Sequence, residues 1–283
     1  MSVFLILESG ATKVAWLAAD ANRVFRQGEL DGLHPFLSSA QDWQQGLSTL
    51  QAVVNELQVK QIYYYGTGCS QEAGCTIVRQ NLRSFWPDCT EVSVNSDLLA
   101  ASRACWQRQE GIACILGTGS NAAWYDGAQI RQKRGGIGYV LGDEGSGADL
   151  GKQLLVAFLN EQLPDALMQV LRQDYGLDRA VIIERTYKDA NPSRFLAQFA
   201  PLVCEWKHQS AFLQDQVCAR FQILTRNYLF PLCQAADHTA VGFVGSIAVN
   251  FEAELAAALA EKGLKIHENL GNPTAELLRF HQS

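Results

Sequence analysis

The chain has 283 residues, of which 48% are hydrophobic and 18% charged, and its formal net charge is -6. That composition supports a sizeable core, at this length more readily two domains than one, and excludes a disordered chain. The acidic balance argues against nucleic-acid or polybasic membrane partners, no apolar run reaches the roughly 18 residues of a membrane span, and "MSVFLILESG" lacks the basic start of a signal peptide.

In chain order, Val3 to Leu7 reads as a strand, "ESGAT" as a turn, "KVAWLAA" as a second strand and "NRVFRQG" as a third. Residues 40–57 have helical spacing, with Trp43, Leu47, Leu50, Val54 and Leu57 on one face. "QIYYYG" predicts a strand, residues 71–85 a helix, "EVSVN" a strand and residues 97–106 a helix. At Gly111 the pattern starts again. "IACILGTGSNAAWYDGAQIRQKRGG" can be set beside "VFLILESGATKVAWLAADANRVFRQG", which suggests two copies of one β-β-β-α-β-α plan. Helices are expected over residues 147–159 and 166–175, and residues 209–235 form a long amphipathic stretch with Pro231 near its end. "AVGFVGS" reads as a strand, residues 252–262 as a helix, "LKIHENL" as a last strand and "NPTAELLRFH" as a final helix.

The eight cysteines form no CxxC and no Cys/His pair at zinc spacing. Most have apolar neighbours, so buried thiols in a reducing cytoplasm are expected. A cluster assembled from distant cysteines, or between subunits, is the other reading.

Three apolar strands end in glycine turns: "LILESGATK", "CILGTGSN" and "VGFVGS". Glycine lets backbone N–H groups converge on a polyphosphate. None is a Walker P-loop, and none is a clear GxGxxG between strand and helix. Phosphoryl transfer to a hydroxyl needs a base near the acceptor and a metal on the phosphates. Asp97 stands where a strand ends and a helix begins, a place for a base and equally for a helix cap. In "RGGIGYVLGDEGSGADLGKQLL", Asp143 either orients a ligand close to the main chain or caps the helix that begins near Ser146.

The three turns resemble the two phosphate motifs and the adenosine motif of the actin-like ATPase superfamily, which includes sugar kinases and heat-shock chaperones. Within it, "GGIGYVLGDEGSGADLG" resembles the signature of N-acetylglucosamine kinases and of BadF/BadG/BcrA/BcrD-type ATPases. "DGLHPF", "YYYGTGCS", "VNSDLLAASRA" and "GFVGSIAVNF" resemble the same group, in order, over nearly the whole chain. The resemblance implies an α/β fold of two ribonuclease-H-like domains, about 1–108 and 109–283, with a central cleft. The C-terminal helix, about 272–283, is expected to pack back on the first domain. ATP would be bound mainly by the second domain, with Mg²⁺, and an amino sugar between the two.

By the same matching, Asp97 is the base. Gly10, Thr12, Lys13, Gly117, Thr118 and Gly119 face the phosphates, and Gly245 and Ser246 lie near the adenosine. His34, Gly68, Thr118, Gly135, Gly136, Gly138 and Asp143 are implied for the sugar, with Asp149 and its helix as support. Glu8 is implied for the metal, through water. Two positions depart from the family pattern: Glu8 stands where aspartate is usual, and His34 where asparagine is usual. The implied activity is ATP-dependent phosphorylation of N-acetylglucosamine or a related amino sugar by a cytoplasmic homodimer. The alternatives are a weakened or non-catalytic sugar sensor and a BadF-type ATPase that activates a partner enzyme.

Overall fold

The computed structural model describes residues 3–10 and 13–282, so Thr12 lies outside the described residues. The chain divides into two compact units, Met1–Glu110 with Asp126–Gln129 and Asn272–Ser283, and Gly111–Tyr125 with Ile130–Gly271.

The first unit opens with β1 (Val3–Ser9), β2 (Lys13–Ala19) and β3 (Val24–Asp31), followed by α1 (Ala40–Val54), β4 (Val59–Gly66), α2 (Glu72–Phe85), β5 (Glu91–Ser96) and α3 (Asp97–Trp106). Its sheet has the order β3-β2-β1-β4-β5. The β1–β2 and β2–β3 pairs are antiparallel, and the β1–β4 and β4–β5 pairs parallel. The two parallel pairs need crossovers, which α1 and α2 supply. Ser39 and Asp42 cap α1 reciprocally, and its stripe of Trp43, Leu47, Leu50 and Val54 is buried in one core with Leu5, Leu7 and Tyr64. Leu57, expected to extend this stripe, lies beyond the helix end.

The second unit repeats the plan. β6 (Glu110–Leu116), β7 (Ser120–Asp126) and β8 (Ile130–Gly135) precede a helical region: α4 (Gly147–Leu159), α5 (Asp165–Gln173), α6 (Arg179–Lys188), α7 (Pro192–Ala197), α8 (Ala200–Trp206), α9 (Ala211–Leu224) and α10 (Phe230–Ala236). A π-helical turn, Thr225–Leu229, joins α9 to α10. Then come β9 (Ala240–Val244), α11 (Ser246–Asn250), α12 (Glu252–Ala260) and β10 (Lys265–Leu270). The sheet order is β10-β9-β6-β7-β8, which is the first sheet's order under the correspondence of β6 to β1.

The last helix, α13 (Thr274–Gln282), belongs to the first unit. His281 stacks on Tyr63 with centroids 3.6 Å apart, and its Nε2 lies 2.8 Å from the Tyr65 hydroxyl. Arg103 Nη1 donates to that hydroxyl at 2.8 Å, which leaves the hydroxyl proton for His281. Burial and the Arg103 and Arg108 charges lower the His281 pKa to about 4, so the ring is a neutral acceptor.

Six of the eight cysteines are buried, and Cys204 and Cys218 are partly exposed. No helix among the described residues is long and apolar enough to cross a membrane.

Candidate active site

In the first unit, parallel strands β1, β4 and β5 end side by side, where the pattern of an α/β sheet gathers ligands. Asp97 follows β5. The cap of α3 is Ser96, whose side chain accepts from the Leu99 N–H at 3.3 Å. Capping therefore does not need Asp97. Its Oδ2 accepts from the Thr67 hydroxyl at 2.8 Å, and its Oδ1 from the Leu98 N–H at 2.8 Å. Burial raises the Asp97 pKa, with those two hydrogen bonds opposing it.

Glu8 lies near the end of β1, partly buried, and its carboxylate has no hydrogen-bond partner among the described residues. Burial and the neighbouring Asp97 charge push its pKa up to about 7. A carboxylate short of donors and beside a second carboxylate suits a hard cation held by oxygen, such as Mg²⁺. Without the cation the charge is a liability. The folded pKa is raised from 4.5, so the stability of neutral Glu8 is complete below about 4.5 and lost as pH rises through about 7. Glu8→Gln, melted without nucleotide or metal, is expected to exceed the native melting temperature at pH 8 and to lose most of that advantage at pH 4.5. An advantage independent of pH would show that the Glu8 charge costs nothing in the fold.

His34 stands after β3. Its Nδ1 accepts from the Phe36 N–H at 3.1 Å, so the neutral ring carries its proton on Nε2 and can only donate outward. Burial lowers its pKa, while the Asp97 charge raises it. Gly68 packs on this ring: a Cβ there would lie 3.0 Å from both Cε1 and Nε2. Glu8, His34, Gly68 and Asp97 thus form one neighbourhood within the first unit. The Gly10 N–H closes the first turn on Lys13 O at 3.0 Å. Lys13 itself is exposed, with Nζ 2.5 Å from Glu29 on β3, so its ammonium is held by a cross-strand carboxylate.

In the second unit, the loop after β6 is tied to the start of α4. The N–H groups of Gly147 and Ala148 donate to the carbonyls of Gly117 and Thr118 at 2.8 and 3.0 Å. Gly117, Thr118 and Ser246 line one cavity of about 130 Å³. Its other walls include Ala197, Ala200, Pro201 and Cys204 from α7 and α8, together with Asn250 and Phe251. No periodic pattern in residues 176–208 marks α7 and α8 in the sequence. The available signals were Pro192 and Pro201, each in a helix's first turn. Gly245 packs against this loop too: a Cβ there would lie 2.4 Å from Leu116 O.

Asp143 is 7% exposed and has a left-handed backbone, φ 59°. The α4 cap is again a serine, Ser146, which accepts from the Asp149 N–H at 3.2 Å. Asp143 Oδ1 instead accepts from the Ser120 N–H at 3.3 Å. A Cβ at Gly119 would sit 2.9 Å from Asp143 Oδ2, so only glycine admits the carboxylate this close. Burial raises the Asp143 pKa, and Glu144 and Asp149 add to the rise. Gly135, Gly136 and Gly138 all have φ between 64° and 84°. Asp149, 1% exposed, accepts from the Gly145 N–H at 2.9 Å and pairs with Arg220 Nε at 2.6 Å and Lys152 Nζ at 3.4 Å. Arg220 was not expected; it lies 71 residues away in sequence, beyond any local pattern.

No family model and no curated protein sequence matches the chain. Among solved structures, a Porphyromonas gingivalis protein provisionally named an N-acetylglucosamine kinase is 31% identical, with TM-score 0.92 over 100% of this chain and 99% of that one. A Chromobacterium violaceum protein given the same provisional name is 19% identical, with TM-score 0.73 over 100% and 99%. A Streptomyces griseus ROK-family glucokinase, solved with glucose and AMPPNP, is 12% identical, with TM-score 0.61 over 99% and 98%, a likeness of fold. With the repeated five-stranded sheets and identity sustained over the full chain, the protein belongs to the N-acetylglucosamine kinase family, of the two-domain actin-like sugar kinase fold.

Proposed function

We propose that this chain is an ATP-dependent kinase that transfers the γ-phosphoryl group to a hydroxyl of N-acetylglucosamine or a related amino sugar. The observation that carries this reading is Asp97. It is a carboxylate at the end of a parallel strand, relieved of capping by Ser96 and oriented by Thr67 and Leu98. Asp97 takes the proton of the acceptor hydroxyl, whose oxygen bonds to the γ-phosphorus as the bond to the ADP oxygen breaks. Its raised pKa makes it a better proton acceptor than an exposed aspartate. His34 donates from Nε2 to a sugar oxygen, and Gly68 lets its ring sit flush with the loop.

Gly117, Thr118 and Gly119 face the phosphates, and the cavity beside Ser246 takes the adenosine. Gly10 and Thr12 complete the phosphate contacts. Lys13 joins them by leaving Glu29, an exposed pair of little strength. Glu8 would be the residue that holds Mg²⁺, which when bound would supply positive charge against the phosphates. Asp143, with Gly135, Gly136 and Gly138, receives the sugar.

The test is ADP release from ATP and Mg²⁺ over a panel of amino sugars and hexoses. N-acetylglucosamine or a close relative should give the largest kcat/KM. No release above the sugar-free blank with any member would overturn the assignment. Asp143→Asn keeps the left-handed backbone that asparagine tolerates and removes the charge. It should raise the sugar KM by roughly tenfold, as expected for loss of a buried charge-assisted hydrogen bond, and leave the ATP KM within about twofold on the same scale. Steady-state kinetics in both substrates decides this; a change confined to ATP would move Asp143 to the nucleotide.

A further inference from the structure

The Asp143 main-chain carbonyl accepts from the Ser146 N–H at 3.1 Å, but its carboxylate is held lightly. Its own carboxylate has one hydrogen bond from the protein among the described contacts, the 3.3 Å contact from Ser120. Its backbone is in a region that non-glycine residues seldom adopt. Something else has to fix the segment on which it rides. On the C-terminal side the Asp149–Arg220 pair does so through the Gly145 N–H. Tyr228 holds it from both sides, at Glu144 and at Gly135 and Gly142.

Tyr228 comes from the π-turn between α9 and α10 and is 6% exposed. Its hydroxyl donates to Glu144 Oε2, on the residue next to Asp143. The ring lies against two glycines that bracket a loop. A Cβ at Gly135 would meet Cε2 at 2.6 Å, and a Cβ at Gly142 would meet the hydroxyl oxygen at 2.7 Å. Between them Ile137, Val140 and Leu141 are 57%, 74% and 76% exposed, so the loop gains little from burial of its own apolar side chains. The π-turn aims the ring. One extra residue in a helix rotates everything after it by about 100°. The turn also carries a cost, since Thr225 Oγ1 is buried with no hydrogen-bond partner among the described residues. A costly irregularity that delivers one side chain to one loop is the kind that marks a functional segment.

We propose that Tyr228 is a positioning residue for Asp143, acting through Glu144 and through the backbone at Gly135 and Gly142. This rests on the reading of Asp143 as a sugar ligand. Tyr228→Phe keeps the ring and removes only the hydroxyl. It should raise the KM for N-acetylglucosamine about tenfold, keep the ATP KM within about twofold and speed amide hydrogen exchange over residues 136–146. Glu144→Ala should reproduce all three effects, and the double variant should add little to either single one. Glu144→Gln retains an acceptor and should recover most of the loss.

The proposal is overturned if Tyr228→Phe leaves both the sugar KM and the exchange of 136–146 unchanged. It is also overturned if sugar and ATP KM rise together with exchange throughout the second unit, which marks general destabilisation. If Tyr228→Phe does not fold, the Glu144→Ala and Glu144→Gln pair decides by the same readings. If the native protein turns over no amino sugar, the kinase reading fails, and exchange over 136–146 alone decides whether Tyr228 pins the segment.

Discussion

Asp97→Asn is expected to lower kcat by roughly 10²–10⁴-fold, the usual cost of removing a general base, with little change in the KM of either substrate. The fold should survive the change. Ser96 still caps α3, the asparagine oxygen can accept from Leu98 N–H, and the Thr67 hydroxyl can turn to accept from the amide. The loss then reports chemistry rather than structure. ADP release at saturating sugar and ATP measures it. Turnover near the native rate would reduce Asp97 to a tether for Thr67 and withdraw the observation on which the kinase reading stands.

Asp149→Ala should produce a large loss of stability. It removes a fully buried carboxylate and strands Arg220, whose side chain is 21% exposed, and the Gly145 N–H, while the more exposed Lys152 can turn to water. Breaking a buried pair from one side typically costs about 3–5 kcal/mol, which for a unit of this size lowers its melting temperature by roughly 10 °C. Asp149→Asn, which still accepts from Gly145, should lose less. Adding Arg220→Met to the alanine variant should restore part of the loss, because the uncompensated charge is then gone. Calorimetry distinguishes these cases; an Asp149→Ala protein as stable as the native one would mean that the Arg220 pair is solvated and idle.

The strands and the stripe of α1 were readable because their signals are local: alternation, apolar runs and a 3.6-residue period. The two candidate aspartates, Asp97 and Asp143, are ambiguous in the sequence, since each stands close to a helix start. The structure separates the roles by giving both caps to serines, Ser96 and Ser146. Local sequence could not settle this, because serine and aspartate cap about equally well. Residues 209–235 read as one amphipathic stretch, whereas the chain breaks it into α9, a π-turn and α10. A single inserted residue leaves no compositional trace, so Tyr228 was invisible as a partner of the glycine loop. α7 and α8, with 6 and 7 residues, are too short to establish a period, and α6, with 10, buries only Ile182 and so shows no apolar stripe. Lys13 shows a different limit. Its match to a phosphate motif said nothing of Glu29, which only the β2–β3 pairing brings within reach.

The return of α13 to the first unit bears on synthesis. Tyr63, Tyr65 and Arg103 are made early, yet the ring that stacks on them, His281, is made after residues 111–271. At roughly 5–20 residues per second, translation of that stretch takes on the order of ten seconds or more. Throughout that time the nascent first unit presents an open aromatic and cationic face. It therefore cannot finish folding in the order in which it leaves the ribosome. Its completion waits on the second unit, and any stall after β10 leaves that face available to chaperones.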